Sequence, residues 1–144
     1  MKPISGKNSV SRMVDGKVAG TNFILVVDDD LDMLTLLGRM VELSGYEVAQ
    51  ARNAVEALRL ITERTPDVII LDIMMSNIDG WTLYAKLREM TAAPVIFLTA
   101  WRTGENAQHA RDLGERFASK PIALDELRKL ITEALEESHS LSAE

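Results

Sequence analysis

The sequence predicts an α/β fold, a five-stranded parallel sheet with helices on both faces. Three observations lead there. "FILVV" (23–27) is apolar without alternation, the pattern of a strand buried on both sides. Strand-like runs alternate with helical stretches, five of each, and right-handed crossovers turn that order into a parallel sheet. The length, 144 residues, suits one domain with a single core.

The elements follow in order. After "FILVV", residues 31–44 repeat at helical spacing, with Met33, Leu34, Leu37, Met40 and Val41 sharing a side. Asp30 suits the start of that helix as a cap and Gly45 its end. "YEVAQA" (46–51) alternates as a strand does. Asn53 opens the second helix, with Glu56 as its capping-box partner. That helix reaches about Arg64, with Val55, Leu58 and Ile61 inward, before Pro66 breaks it. "DVIIL" (67–71) is the third strand and ends on Asp72, and "IMMSNIDG" is a loop. A helix from about Trp81 to Met90 buries Leu83 and Leu87. "PVIFLT" (94–99) is the fourth strand. The polar helix over 104–113 has only Ala107, Ala110 and Leu113 as apolar contacts and is expected to be the least firmly held. "RFAS" (116–119) is a short fifth strand. "KPI" turns the chain into a last helix that buries Leu124, Leu127, Leu130, Ile131, Ala134 and Leu135.

Composition narrows the function. A net charge of -6 without a basic stripe argues against nucleic-acid binding. The absence of cysteine removes disulfides, thiolate metal sites and thiol chemistry, and fits a reducing compartment. No apolar run reaches membrane-spanning length, and residues 1–22 lack the apolar segment of a signal peptide. A cytoplasmic location is therefore expected. Residues 1–22 read as a disordered lead-in and 139–144 as a flexible tail, which leaves the domain at 23–138.

In a sheet of this kind, sites lie at the carboxyl ends of the strands. There the first strand supplies Asp28, Asp29 and Asp30, the third Asp72, the fourth Thr99 and the fifth Lys120. Three carboxylates in one crevice need a compensating charge, and Mg²⁺ suits oxygen ligands. Asp29, Asp72 and a loop carbonyl, that of Met74, would hold it, with Asp28 acting through a water. A hydroxyl and an ammonium beside a metal serve an incoming phosphoryl group. The set is that of a phosphoryl-accepting aspartate, and Asp72 stands at its centre. Singly, each residue has a plainer reading: Asp30 as a cap, Trp81 and Phe117 as core aromatics. The conjunction is what carries the inference.

"ILVVDDD", "VIILDIMMSNIDGW", "PVIFLTA" and "FASKPI" resemble, in order and spacing, the successive motifs of the receiver domains of two-component response regulators, over about residues 23–138. The resemblance implies a CheY-like, doubly wound sheet of strand order 2-1-3-4-5. It implies Asp72 as phosphoacceptor, Asp28 and Asp29 as the acidic metal-binding pair, and the Met74 carbonyl as a further ligand. Thr99 and Ala100 would stand at the phosphoryl group, Lys120 would contact another of its oxygens, and the Lys120–Pro121 peptide would be cis. Phe117 occupies the switch-aromatic position. There are departures. Ser76 stands where the family usually has proline. Phe117 has no hydroxyl, so it would signal by packing alone. Met74 and Trp101 flank the site and cannot position a water, which implies slow self-dephosphorylation. Ala123 offers no side-chain cap to the last helix.

The expected function is a phosphorylation-operated switch and not an enzyme in the ordinary sense. A histidine kinase or histidine phosphotransfer protein would donate the phosphoryl group. The face formed by the fourth helix, fifth strand and fifth helix would then change its partner preference, including for a second copy of the chain. His109 and His139 read as ordinary surface residues. Two rivals are a haloacid-dehalogenase-like phosphatase with Asp28 as nucleophile, suggested by Asp28-x-Asp30, and a pseudo-receiver that is never phosphorylated. With no second domain visible, the chain would act alone or come from a larger protein.

Overall fold

A computed structural model describes residues 13–14, 17–18, 21–76, 78–100 and 103–142. Five strands form the main sheet: β1 (Phe23–Val27), β2 (Glu47–Ala51), β3 (Val68–Asp72), β4 (Val95–Thr99) and β5 (Arg116–Ser119). Their spatial order is β2-β1-β3-β4-β5, and every pairing is parallel. The helices between and after them are α1 (Leu31–Leu43), α2 (Ala54–Glu63), α3 (Gly80–Arg88), α4 (Gly104–Asp112) and α5 (Leu124–Ser142). Most of the expected lead-in lies outside the described residues. Within it, Met13–Val14 pairs antiparallel with Lys17–Val18 as a separate small ladder.

The sheet separates two apolar layers. Ile24, Val26, Val68, Ile70, Ile96 and Leu98 face one way, onto α1 and α5. Leu25, Val27, Ile69, Leu71, Val95 and Phe97 face the other, onto α2, α3 and α4. Successive strand residues point to opposite faces, so a strand covered on both sides must be apolar throughout. β1, β3 and β4 are buried along their whole length, while the edge strands β2 and β5 are only partly so.

Side-chain caps fix the helix starts. Asp30 accepts from the N–H groups of Asp32 and Met33, and Asn53 from that of Glu56. Asp79 and Thr103 do the same for α3 and α4. Each such cap contributes about 1 kcal/mol. Gly45, with φ +95, turns the chain out of α1 where a Cβ would be strained.

Two expectations need correction. Val55 is 75% exposed, not inward. The buried side of α2 is set by Ala57 and Ile61, and Val55 lies about 200° around the helix from Ala57. Leu113 is 38% exposed, because α4 ends at Asp112 and Leu113 is already its cap. α5 runs to Ser142.

Candidate functional site

Parallel register brings the carboxyl ends of β1, β3, β4 and β5 to one edge of the sheet. Asp28 directly follows β1, Asp72 closes β3, Thr99 closes β4 and Lys120 follows β5. Asp28 and Thr99 are fully buried, and Asp72 is 4% exposed. Asp28 Oδ1 accepts from the Asp30 N–H at 2.9 Å, and its Oδ2 accepts from Lys120 Nζ at 2.6 Å. Lys120 Nζ also lies 3.3 Å from Asp72 Oδ2. Asp72 Oδ1 accepts from the Met74 N–H at 3.2 Å. The Lys120 N–H donates to the Thr99 carbonyl at 2.8 Å, which ties the ends of β4 and β5 together. The Lys120–Pro121 peptide is cis.

Asp29 turns instead toward the loop after β3. Its Oδ2 accepts from both the Ser76 N–H at 2.7 Å and the Ser76 Oγ at 2.8 Å. That loop is held at its far end by Gly80, whose N–H donates to the Ile73 carbonyl at 2.7 Å. A larger residue at position 80 would force the backbone to shift, since a Cβ there would lie 2.6 Å from the Asp72 carbonyl oxygen.

One oxygen from each of Asp28, Asp29 and Asp72 lies within 4.8 Å of the others. Burial first, and the neighbouring Asp28 charge second, push the Asp72 carboxyl up to about 6. Lys120 moderates the shift but does not cancel it, because its shorter contact is with Asp28. Burial works against the Lys120 ammonium, yet the Asp28 hydrogen bond and the two carboxylate charges outweigh it and hold its pKa above the ordinary lysine value. One ammonium among three carboxylates leaves the cluster short of positive charge. The donors are all hard oxygens, so the residues fit Mg²⁺.

Of the other anticipated residues, two adjoin this centre in the chain. Ala100 is exposed immediately after Thr99, and Met74 is exposed on the loop beside Asp72. Phe117 is half-buried on β5, opposite Phe97 in register, and packs against the α2–α4 layer. His109 is exposed and sets its ring on Trp81 at 4.3 Å, with Trp81 also 4.5 Å from Phe97. Trp101 and the His139 side chain lie outside the described residues. An open cleft of ≈ 740 Å³ runs beside Asp29, with Met74, Met75, Trp81 and Glu105 among its walls.

Two relationships were not read from the sequence. One is the Ser76 clamp on Asp29, for which the only signal was the unusual serine. The other is the preference of Lys120 for Asp28 over Asp72.

Residues 24–132 match the response regulator receiver domain family. The chain belongs to that family. Among curated relatives it is 42% identical over 106 residues to the transcriptional regulatory protein PrrA of Mycobacterium tuberculosis, covering 72% of this chain and 46% of PrrA. It is 37% identical over 117 residues to the transcriptional regulatory protein GlrR of Escherichia coli, covering 80% of this chain and 26% of GlrR. This receiver thus spans less than half the length of either relative. Among solved structures, a receiver domain protein from Clostridium thermocellum superposes with a TM-score of 0.77 at 30% identity, covering 83% of this chain and 98% of that one. The receiver domain of NtrX from Brucella abortus gives 0.73 at 32% identity, covering 78% and 98%. Receiver domains of this family typically act as regulatory switches in two-component signalling, in partnership with histidine kinases or phosphotransfer proteins, and not as classical enzymes. Among the described residues no helix is long and apolar enough to cross a membrane.

Proposed function

We propose that Asp72 is the phosphoacceptor of this receiver, with Asp28, Asp29, Asp72 and the Met74 carbonyl holding Mg²⁺. The observation that carries the reading is the buried three-carboxylate cluster with the Lys120 ammonium across two of its members. A carboxylate oxygen of Asp72 attacks the phosphorus of a phosphohistidine on the donor protein. The new O–P bond forms as the N–P bond breaks and the imidazole leaves. Mg²⁺, when bound, supplies positive charge to the phosphoryl oxygens during transfer. Lys120 turns from Asp72 toward one of those oxygens, while the Thr99 hydroxyl and the backbone at Ala100 serve the others.

The added charge biases a two-state equilibrium. Thr99 is drawn toward the phosphoryl group, Phe117 repacks, and the face of α4, β5 and α5 changes its preference among partners. A second copy of the chain is one partner that this face would select.

Both Asp28 oxygens accept hydrogen bonds, at 2.9 and 2.6 Å, closer than the 3.2 and 3.3 Å contacts to the two Asp72 oxygens, and the Asp28 side chain is fully buried. This favours Asp72 over Asp28 as nucleophile and disfavours the phosphatase reading. The complete set of acidic residues, Thr99 and Lys120 disfavours a pseudo-receiver.

The test is intact mass after incubation with acetyl phosphate and Mg²⁺, for wild type and Asp72→Asn. The expected outcome is a phosphoryl adduct that needs the metal and is absent from the variant. An adduct that persists in Asp72→Asn would move the nucleophile, Asp28 first. No adduct in wild type, from acetyl phosphate or a phosphohistidine donor, would favour the pseudo-receiver.

A further inference from the structure

We propose that Ser76 is a positioning residue for the metal: it holds Asp29 in its ligating pose, and the hydroxyl makes Mg²⁺ binding tighter than the same loop would allow without it. The inference rests on the reading of Asp28, Asp29 and Asp72 as the metal site.

The geometry is specific. Both Ser76 bonds, from N–H and from Oγ, fall on the same Asp29 oxygen, Oδ2. An ionised carboxylate has about four lone-pair sites on its two oxygens, so Oδ1 keeps its own for a cation. Two donors on one oxygen also fix the rotation of the carboxylate group. Without them Asp29 is a half-buried side chain at the rim of the cleft, free to turn toward solvent. Hydrogen bonds of this kind orient a ligand before the metal arrives, and their loss costs roughly 10- to 100-fold in metal affinity.

The sequence explains why this chain needs the arrangement. A proline at position 76 would stiffen the loop through its ring, but it has neither an N–H nor a hydroxyl to offer. Serine gives up that rigidity and joins the loop to the β1–α1 turn through Asp29, 47 residues away in the chain. Order in the loop and the pose of the ligand thereby become one property. Ser76 is exposed, so its substitution leaves the core untouched.

The experiment is a titration with MgCl₂ alone, followed by amide NMR shifts, on wild type, Ser76→Ala and Ser76→Thr. Ser76→Ala keeps the N–H bond and loses the hydroxyl, so a Kd raised about 10-fold is expected, at the low end of the range. Ser76→Thr keeps both donors and should restore wild-type affinity. An unchanged or tighter Kd in Ser76→Ala overturns the proposal, as does equal weakening in Ser76→Thr. A wild type whose amides near Asp28, Asp29 and Asp72 do not respond to Mg²⁺ overturns the metal site itself, a result distinct from failure of the Ser76 role.

Discussion

Lys120 lies 2.6 Å from Asp28 and 3.3 Å from Asp72, so its first partner is not the candidate acceptor. Both members of the closer pair are buried, with side chains 9% and 1% exposed. Lys120→Met leaves two carboxylates facing each other without a counter-charge. Removing one member of a buried pair costs about 3–5 kcal/mol. Urea unfolding in EDTA should show a loss of that size, and Mg²⁺ should restore part of it. A loss below about 1 kcal/mol would put the pair in the class of surface ion pairs.

Asp72 gives the metal-free protein a pH dependence. Its carboxyl is raised from 3.8 to about 6 by burial and by Asp28. Between those values the folded chain holds a proton that the unfolded chain has released. Stability is therefore greatest on the acid side of that window and falls as pH rises through about 6. Asp72→Asn should lack this slope and unfold at higher urea than wild type at neutral pH in EDTA. Parallel pH profiles for the two proteins would contradict the assignment.

Glu115, just before β5, joins α3 and the start of β4 at the opposite end of the sheet from the site. It accepts from the Tyr84 hydroxyl at 2.6 Å, from Arg88 at 2.9 Å and from the Val95 N–H at 2.9 Å. Its side chain is 8% exposed. Glu115→Ala leaves the Tyr84 hydroxyl and the Val95 N–H without a partner, and should destabilise by about 3 kcal/mol in urea. Because the network is remote from Asp72, Mg²⁺ affinity measured under folding conditions should be unchanged.

Gly80→Ala forces a methyl group to within 2.6 Å of the Asp72 carbonyl oxygen and of Ile73 Cα. Backbone, not a flexible side chain, must yield. The expected cost is about 1–3 kcal/mol, together with slower phosphorylation from acetyl phosphate, because the strand end that carries Asp72 has moved. A mass time course equal to wild type would mean that the loop absorbs the displacement without disturbing Asp72.

Met74 projects into solvent beside Asp72 and has no group to orient water. The aspartyl phosphate should therefore be long-lived. Met74→Glu should shorten its lifetime about 10-fold, below the full effect of a well-placed general base. Loss of the mass adduct with time measures it. A wild-type lifetime of seconds would refute the expectation.

Much of this was legible in the sequence because the central strands are covered on both faces, and such strands must be apolar throughout. The capping residues Asp30 and Asn53 were legible for a local reason: the groups they serve are two or three residues away. Val55 was misread because a step of three residues mimics a helical stripe, while the small Ala57 that marks the buried side drew no notice. Lys120 could be assigned to the site but not to a partner. Which of two carboxylates takes an ammonium depends on sub-ångström placement of loops that the sequence does not display.

The contact between Lys120 and Asp28 joins residues 92 apart in the chain. A growing polypeptide on the ribosome exposes Asp28, Asp29 and Asp72 well before Lys120 has been made. Until β5 docks, the acidic residues have no Lys120 ammonium among them and no wall at the fifth strand. A chain that ended before Lys120 would lack that counter-charge, so the charge balance of the acidic cluster is completed only with the last strand.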